Sequence, residues 1–388
     1  MTKKKICIIT GSRAEYGLLK GLMKSIEADS ELVLQLICTN MHLSPEFGLT
    51  YREIETDGFI INKKIEILLS SDTAAGTAKS MGIAAIGFAD AFVELKPDIL
   101  LILGDRYEIL TAASVALVFK IPIAHIHGGE ITEGAYDNSI RHAVTKMSHL
   151  HFTATEEYRN RVIQLGEDQK RVFNVGALGV ENISKMKLMK LKKLEDSIGF
   201  KLRSKNIIIT FHPTTLEDES SKNQINSLLN ALNHFPELGL ILTYPNSDSD
   251  GREIIKLIQE FVKNNSERAI VFESLGQLRY FSTLQFVDAV VGNSSSGVIE
   301  VPSFNIPTLN IGNRQLGRIA ASSVINCSAN YLDIKSKLEF ILNNSSSKKA
   351  VVNPYQKIGT TDNILKELKL FITDSNPNKL FKKFNDLI

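Results

Sequence analysis

The chain has 388 residues, of which 43% are hydrophobic and 23% are charged, a composition typical of a soluble globular protein with a sizeable core. This length predicts two domains of roughly 150–200 residues each. The formal net charge of +2 is too small to indicate nucleic acid or a membrane surface as a partner.

Short apolar runs alternate with helical patterns through the first half of the chain. Because the runs are continuously apolar, they favour a parallel sheet that helices cover on both faces. Strands are predicted at residues 6–10, 32–38, 99–103, 121–126, 151–154 and 172–175. Helices are predicted after the first strand and at residues 83–95, 112–119 and 156–165.

The same alternation starts again after residue 205. Residues 187–205 are rich in Lys and Leu and have the composition of a linker. Two successive arrays of similar size predict an α/β fold of two Rossmann-like domains that face each other across a cleft. Strands are predicted at residues 207–211, 238–243, 269–272, 289–291 and 306–311, and helices at 225–232, 254–262 and, with a break near Pro377, 363–388. We place an N-terminal domain at residues 1–185, a C-terminal domain at 186–365 and a terminal helix at 366–388.

The three cysteines, Cys7, Cys38 and Cys327, form no CxxC pair and no metal-ligand spacing. Buried free thiols, as expected in a reducing cytosol, are the simplest interpretation. The first apolar run is too short for a secretory signal, and no later run is long enough to span a bilayer. We therefore expect a cytoplasmic protein without a membrane partner.

Polar motifs follow two predicted strands of the first half, at the edge where parallel sheets bind ligands. Residues 11–17 join the first strand to the first helix. Backbone N–H groups at a helix start, together with Arg13, suit a phosphate, and a plain turn with a solvated Arg13 is the alternative. Asp105 and Arg106 follow a later strand, either as a structural ion pair or as a catalytic carboxylate beside a phosphate-binding arginine.

Six ionisable side chains occupy a short stretch after the strand at residues 121–126. Charged groups at a buried strand end need partners or a ligand, so this stretch is the strongest candidate for a catalytic site. Nearby, His125 lies in an apolar run and fits a hydrogen-bonded core imidazole, and Asp137 could instead cap a helix that begins near Asn138. No HExxH or comparable spacing is present, so no metal is expected. The six are His127, Glu130, Glu133, Asp137, Arg141 and His142.

The second half carries anion-binding motifs after its own strands. His212 follows the first of them, and a structural role, a phosphate contact and a catalytic acid are all open. The loop 292–300 places Ser294 and Ser295 ahead of a helix, which makes an anion-binding nest, and Glu300 could accept both hydroxyls of a ribose. A capping role for this Ser-rich loop is the alternative. Further polar residues after neighbouring strands are Asn246, Arg314 and Arg318.

Phosphate-suited loops are thus predicted in both domains, and acids and imidazoles in the first. The chain has neither a GxGxxG dinucleotide fingerprint nor a Walker loop. A nucleotide-sugar is therefore the natural ligand, and no redox cofactor is expected.

As an ordered set, these motifs resemble the hydrolysing UDP-N-acetylglucosamine 2-epimerase family of sialic-acid synthesis. The resemblance covers residues 5–370 and is closest to the branch of legionaminic-acid synthesis that handles UDP-N,N'-diacetylbacillosamine. Sialic-acid enzymes typically carry a glutamate, thought to be catalytic, where this chain has His127, so His127, Glu130 or Glu133 takes that role. The matching segments are residues 10–16, 104–106, 128–130, 137–142, 212–213, 292–295 and 314–315, with 69–73, 127–135 and 175–179 typical of the branch.

The resemblance implies a glycosyltransferase-B fold whose C-terminal helix crosses back to the first domain. It implies anti elimination of UDP across C1–C2 to a 2-acetamidoglycal and then hydration, which yields UDP and a free 2-epimeric sugar. It also implies a homodimer or homotetramer that uses no cofactor and no metal. The substrate is UDP-N,N'-diacetylbacillosamine or UDP-N-acetylglucosamine, because the C4 substituent of the sugar is left open. A non-hydrolysing epimerase, a glycosyltransferase and a nucleotide-sugar sensor are the alternatives.

Inversion at C2 requires proton-transfer groups on opposite faces of the sugar. Asp105 and Asp137 are the leading pair, with His127 or Glu130 as a third group. Clustered carboxylates can hold one group ionised and another protonated, and UDP leaves readily once its diphosphate is neutralised. The expected catalytic set is Asp105, His127, Glu130, Asp137 and His212; the UDP-binding set is Arg13, Arg106, Asn246, Ser294, Ser295, Glu300 and Arg314; and Arg141 and His142 are placed at the sugar.

Overall fold

A parallel sheet organises the first half of the chain. The computed structural model describes residues 3–71, 73–133, 135–214, 220–245, 251–344 and 350–386. Within these residues the strands of the first sheet are β1 Lys4–Thr10, β2 Leu32–Thr39, β3 Lys63–Ile65, β4 Ile99–Leu103, β5 Ile123–Ile126, β6 Leu150–Thr153 and β7 Val172–Asn174. They pair in parallel in the order β3-β2-β1-β4-β5-β6-β7. The central strand β4 has the sequence ILLIL and is buried along its length, because helices cover both faces of the sheet.

A second parallel sheet follows in the second half. Its strands, among the described residues, are β8 Asn206–Thr210, β9 Gly239–Thr243, β10 Ala269–Phe272, β11 Ala289–Gly292, β12 Thr308–Ile311 and β13 Val324–Cys327. Their order is β10-β9-β8-β11-β12-β13. The two sheets have separate apolar cores, so the predicted architecture of two Rossmann-like units is confirmed.

Helices connect the strands and cover the sheets. Those of the first half are α1 Arg13–Ala28, α2 Tyr51–Thr56, α3 Ala74–Leu95, α4 Tyr107–Val118, α5 Asp137–Met147, α6 Glu156–Gln164 and α7 Leu178–Lys185. The remaining helices are α8 Leu191–Ile198, α9 Ser221–Leu232, α10 Gly251–Asn264, α11 Gly276–Leu284, α12 Ser296–Ile299, α13 Tyr331–Asn344 and α14 Thr360–Thr373. In the part of the chain that the structure describes, no helix is both long and apolar enough to cross a membrane.

The linker predicted at residues 187–205 contains a helix, so that prediction is wrong in part. Leu194 and Ile198 lie one turn apart on α8 and pack into a core of the second half. Gly199 ends the helix in the left-handed conformation, with φ of 62°, which glycine adopts at little cost. The Lys residues between the apolar positions face solvent, and they hide the helical period from composition alone.

The predicted helix through the tail is also wrong beyond Thr373. The N–H of Asn376 donates to Oδ1 of Asp374 at 2.9 Å, and the N–H of Asn378 donates to Oδ1 of Asn376 at 2.9 Å. Such side-chain turns compete with helical hydrogen bonds, and Pro377 has no N–H to donate. Residues 374–386 therefore continue without a helix.

The helix α14 packs against the core of the first sheet, although it comes last in the chain. Ile364, Leu368 and Ile372 are buried in the same cluster as Ile6 of β1 and Leu22 of α1. At the start of α14, the Oγ1 of Thr360 donates to the carbonyl of Val175 at 2.7 Å. The domain boundaries at residues 185 and 365 remain predictions.

Replacing Leu368 with alanine tests how much this contact stabilises the fold. Leu368 is fully buried, so Leu368→Ala is expected to lower the free energy of unfolding by about 2–5 kcal/mol. The matched control is Leu370→Ala on the same helix, where the side chain is 57% exposed and the expected change is within about 0.5 kcal/mol. Urea denaturation followed by circular dichroism measures both, and equal losses in the two variants would contradict the packing described.

Candidate active site

Four of the sequence motifs lie where the order of strands reverses. In the first sheet the reversal falls between β1 and β4, which residues 11–13 and 104–106 follow. In the second sheet it falls between β8 and β11, which His212 and residues 293–295 follow. Open parallel sheets bind ligands in the crevice at such points, so the fold places these motifs where a ligand is expected.

A cavity of about 260 Å³ is lined by residues from both halves of the chain. Ser12 and Arg13 contribute from the first half, and Glu300 from the second. The predicted UDP-binding residues on its wall are Arg13, Ser294, Ser295, Glu300 and Arg314, together with the predicted catalytic residue His212. Arg106, which was also predicted to bind UDP, is not among the residues that line this cavity. Asn246, predicted as a contact after β9, lies outside the described residues.

Arg13 connects the first helix to the second half. Its Nη1 donates to the carbonyl of Ser274 at 3.0 Å, and its Nε lies 2.5 Å from Oε2 of Glu53. The guanidinium is therefore held at the cavity by both halves. The alternative of a solvated Arg13 does not describe this geometry.

The turn after β1 rests on two buried carboxylates that sequence reasoning did not single out. Gly11 donates its N–H to Oε2 of Glu15 at 2.6 Å. A Cβ at Gly11 would overlap the carboxylate of Glu108, so a larger residue there would require the Glu108 side chain to move. Burial raises the pKa of Glu15 to about 8, against the opposing effect of the Gly11 N–H and with a further rise from Glu108. Arg106 is paired with Glu108, with Nε 2.8 Å from Oε1.

The ends of β8 and β11 are joined through Asn293. Its Oδ1 accepts the N–H of His212 at 2.6 Å, and its Nδ2 donates to the carbonyl of His212 at 2.8 Å. The carbonyl of Asn293 accepts Nη1 of Arg314 at 3.2 Å and Nε2 of Gln315 at 2.8 Å. Asn293, which is fully buried, thus holds His212 and Arg314 beside the cavity. Asn293 lies within the predicted anion-binding loop 292–300, but no role was predicted for it.

His212 is a neutral imidazole in this setting. Burial holds its pKa well below the usual histidine value, and the nearby Arg314 and Arg106 act in the same direction. Near neutral pH it can therefore donate or accept a hydrogen bond, but it does not add positive charge. The positive charge that would bind a phosphate in this crevice therefore has to come from the arginines.

Glu300 lies one residue beyond α12 and is almost completely buried. Burial raises its pKa to about 7, a rise that a hydrogen bond from Ser296 and the nearby His127 and Arg318 partly oppose. Its Oε1 lies where a Cβ on Gly179 would be. The predicted ribose acceptor is therefore balanced between its ionised and protonated forms at neutral pH.

The acid cluster of the first half is centred on Glu130. Its Oε2 accepts Nη1 of Arg141 at 3.1 Å and lies 3.0 Å from Nη2 of Arg318, while its Oε1 lies 2.5 Å from Nδ1 of His127. Arg141 also pairs with Asp105. Four of the predicted residues thus form one network, and Arg318 joins it from the loop after β12 in the second half.

Glu130 is an ionised carboxylate although it is 1% exposed. Burial opposes ionisation, but the positive charge of Arg318 and the imidazole of His127 hold its pKa below the usual carboxyl value. Breaking such a buried pair leaves an uncompensated charge. The network is therefore expected to be rigid.

The other ionisable residues of this stretch separate into structural and partly exposed groups. Nε2 of His125 lies 2.7 Å from the carbonyl oxygen of Gly104, and burial lowers the pKa of His125 to about 3. His125 is therefore the hydrogen-bonded core imidazole that its apolar surroundings predicted. Asp137 is the first residue of α5 and Tyr136 its cap position, so the capping alternative for Asp137 is wrong. His142 is half-buried, and burial followed by the charge of Arg141 lowers its pKa. Glu133 is exposed.

A metal site was not expected from the spacing of ligands. Among the described residues, no group of three or more His, Cys, Asp or Glu side chains could hold a metal ion.

Comparisons with known proteins agree with this arrangement. Residues 24–369 match the family described as UDP-N-acetylglucosamine 2-epimerase. The GDP/UDP-N,N'-diacetylbacillosamine 2-epimerase (hydrolyzing) of Campylobacter jejuni is 46% identical over 333 residues, or 86% of each chain. The polysialic acid biosynthesis protein P7 of Escherichia coli is 38% identical over 99% of this chain and 98% of that protein. A crystal structure of UDP-GlcNAc 2-epimerase from Neisseria meningitidis bound to UDP-GlcNAc has a TM-score of 0.79 at 19% identity, covering 94% of this chain and 100% of the other. That likeness confirms the expected fold.

Proposed function

The chain belongs to the UDP-N-acetylglucosamine 2-epimerase family, and we propose that it is a hydrolysing 2-epimerase of a UDP-2-acetamido sugar. The observation that carries the proposal is the ion pair between Glu130 and Arg318. Arg318 belongs to the half of the chain with the phosphate-suited loops, so this pair brings the acid cluster next to them. The relative at 46% identity is named as a hydrolysing enzyme, which supports hydrolysis over return of the UDP-linked epimer.

In the proposal, the second half of the chain binds UDP. Ser294, Ser295 and Arg314 take the diphosphate, and ionised Glu300 accepts the ribose hydroxyls. Arg13 and Arg106 add positive charge from the first half, although each already has a carboxylate partner. We also propose Asn246 as a UDP-binding residue. Preorganised donors of this kind stabilise the charge that develops on a leaving diphosphate.

The first chemical step is an elimination. A base removes the proton from C2 of the sugar, the C2–H electron pair becomes the C1=C2 double bond, and the C1–O bond to UDP breaks. Asp105 and Asp137 are proposed as the proton-transfer pair on opposite faces, with Arg141 and His142 beside the sugar. Asp105 is partly exposed and paired with Arg141, which keeps its carboxylate in one place.

The second step is hydration of the glycal. Water adds its oxygen to C1 and loses a proton to a base, and C2 receives a proton from the face opposite to the one it left. The products are UDP and the free 2-epimeric sugar. This sequence needs no external oxidant or reductant, because the C2–H electron pair becomes the double bond and the C1–O electron pair leaves with the diphosphate.

We favour UDP-N,N'-diacetylbacillosamine over UDP-N-acetylglucosamine as the substrate, since the relative at 46% identity carries the former name. We also propose a homodimer or homotetramer formed through the first half. The packed pair α3 and α4 exposes Ile86, Val93 and Val118, each at least 60% exposed, and an apolar surface of this kind is typical of an interface. The buried free thiols support a cytoplasmic location.

Turnover of the two UDP-sugars tests the proposal directly. The wild-type protein is expected to release stoichiometric UDP and a free sugar inverted at C2, with the higher kcat/KM for UDP-N,N'-diacetylbacillosamine. A coupled UDP assay measures the rate, and NMR identifies the product. Recovery of a UDP-linked 2-epimer without free UDP would identify a non-hydrolysing epimerase, and UDP release only in the presence of an acceptor would identify a glycosyltransferase.

Substitutions at the two aspartates test their proposed roles. Asp105→Asn and Asp137→Asn are each expected to lower kcat by a factor of about 10² to 10⁴, because an amide cannot take or return the C2 proton. UDP affinity, measured by calorimetry, is expected to stay close to that of the wild type. Near-wild-type turnover in either variant would remove that residue from the catalytic set.

The pKa of about 7 at Glu300 predicts a pH-dependent affinity for UDP. Below pH 7 the carboxyl is protonated and loses one acceptor, and above it the carboxylate can accept both ribose hydroxyls, in bonds worth about 1.5–3 kcal/mol each. The ratio of wild-type to Glu300→Gln affinity is therefore expected to be near one at pH 5.5 and to grow above pH 7. The ionisation of UDP itself cancels in this ratio.

Ser295→Ala serves as the comparison in this series. It is expected to weaken UDP binding by a factor that does not change with pH, since a hydroxyl does not titrate in this range. A ratio for Glu300→Gln that stays flat from pH 5.5 to 8.5 would move the ribose site away from Glu300.

A further inference from the structure

One nitrogen of His127 has no hydrogen-bond partner, although the side chain is only 8% exposed. Its Nδ1 lies 2.5 Å from Oε1 of Glu130. Its Nε2 is buried and has no partner among the described residues. Buried polar atoms usually have a hydrogen-bond partner, and this nitrogen is one of a minority of buried side-chain atoms in the described residues that have none.

The proton on His127 can be assigned from its partner. Glu130 is held ionised by Arg318 and His127, and a carboxylate can only accept hydrogen bonds. Nδ1 must therefore carry the proton, and in the neutral ring the lone pair lies on Nε2. A carboxylate that fixes the tautomer of an imidazole in this way leaves the second nitrogen free to exchange a proton.

The backbone holds His127 in an unusual conformation. His127 directly follows β5, its N–H donates to the carbonyl of Phe152 at 2.9 Å, and its φ is +67°. Non-glycine residues seldom adopt this region, and such strain tends to persist at functional sites. The conformation places His127 close enough to Glu300, on the cavity wall, to influence its ionisation.

Glu130 itself is poorly suited to proton transfer. Oε1 is engaged by His127, and Oε2 by Arg141 and Arg318. Neither oxygen is open to a sugar, and the two guanidiniums oppose its protonation. Glu133, the other carboxylate considered for this role, is exposed.

We infer that His127 and Glu130 form a dyad in which Nε2 of His127 exchanges the proton at C2 of the sugar and Glu130 is a positioning residue. This inference rests on the proposed function and refines its acid–base assignment. In the elimination direction, the C2–H bond breaks, its electron pair forms the C1=C2 bond as UDP departs, and the proton passes to Nε2. The resulting imidazolium is stabilised by the Glu130 carboxylate. The aspartates then supply the group on the opposite face.

Chemical rescue tests the proton-carrying role of His127. His127→Gly removes the ring and relieves the positive φ, and it is expected to lower kcat by a factor of about 10² to 10⁴. Added imidazole is expected to restore activity at least tenfold. The second variant, His127→Asn, keeps a donor to Glu130 and tolerates positive φ, but it has no equivalent of Nε2 and is expected to be as inactive as His127→Gly, with unchanged thermal stability and UDP affinity.

The pH profile of Glu130→Gln tests the positioning role. The titratable groups that face the pair are Arg141 on α5, Arg318 after β12, His125 on β5, Tyr158 on α6, Tyr355, and Glu300 after α12. Loss of the Glu130 charge destabilises the imidazolium, so the acid limb of kcat/KM is expected to move to lower pH. A purely structural role would lower the whole profile without moving this limb.

The outcomes separate the dyad from the proposed function. A wild-type protein that releases no UDP from either UDP-sugar overturns both. An active wild type together with a His127→Gly variant within about threefold of its kcat, or with a stable variant that imidazole does not rescue, overturns the dyad alone. An active His127→Asn variant, or an unmoved acid limb in Glu130→Gln, also overturns it.

Discussion

The arrangement of the candidate active site depends on one buried charge. Glu130 is 1% exposed, and an isolated carboxylate at such a position would be neutralised or expelled. It is compensated by Arg141 from the same half, Arg318 from the other half and the His127 imidazole. Because a pair of this kind is costly to break and gains little from burial alone, its value lies in geometry more than in stability. Glu130 orients the imidazole on one side and ties the two halves together on the other.

The tie between the halves has consequences for both sites. Arg318 also donates its Nε to the carbonyl of Ile131 at 3.3 Å, and the N–H of Glu133 donates to the carbonyl of Leu316 at 3.3 Å. The segment after β12 is therefore bonded to the segment after β5 along its backbone as well as through side chains. Arg314 on that same segment bonds Asn293, which holds His212. A displacement of the acid cluster would therefore also displace the anion-binding loops.

The sequence predicts the architecture well and the pairing of charges poorly. Strands such as β4 and β11 are continuous apolar runs, and the length of these runs predicts buried strands. The edge strands β3 and β13 are short and half-exposed, so they carry no such signal. Helix α8 is hard to predict because its lysines give the segment the composition of a linker. Its apolar face is meaningful only once the second core that receives it is known.

The same limit applies to the site. Parallel-sheet topology brings the ends of β1, β4, β8 and β11 to the switch points, so the motifs there are found from sequence. Which carboxylate meets which guanidinium is decided by contacts between distant segments. Arg318 and Glu130 are separated by most of the second half of the chain, and Glu15 and Glu108 meet only because β1 and β4 are neighbours. No local pattern contains that information.

The comparison of Glu130 with Glu300 explains why an imidazole suits position 127. Both glutamates are buried, yet burial raises the pKa of Glu300, whereas arginine and histidine partners lower that of Glu130. A second carboxylate at position 127 would lie against ionised Glu130, and the two would have to share a proton or gather another cation. An imidazole avoids this conflict, because its N–H satisfies Glu130 while the ring is neutral and the same carboxylate stabilises the ring when it is charged. The departure from the glutamate expected at this position is therefore consistent with the charge already fixed beside it, and the pair can pass a proton without either member leaving its partner.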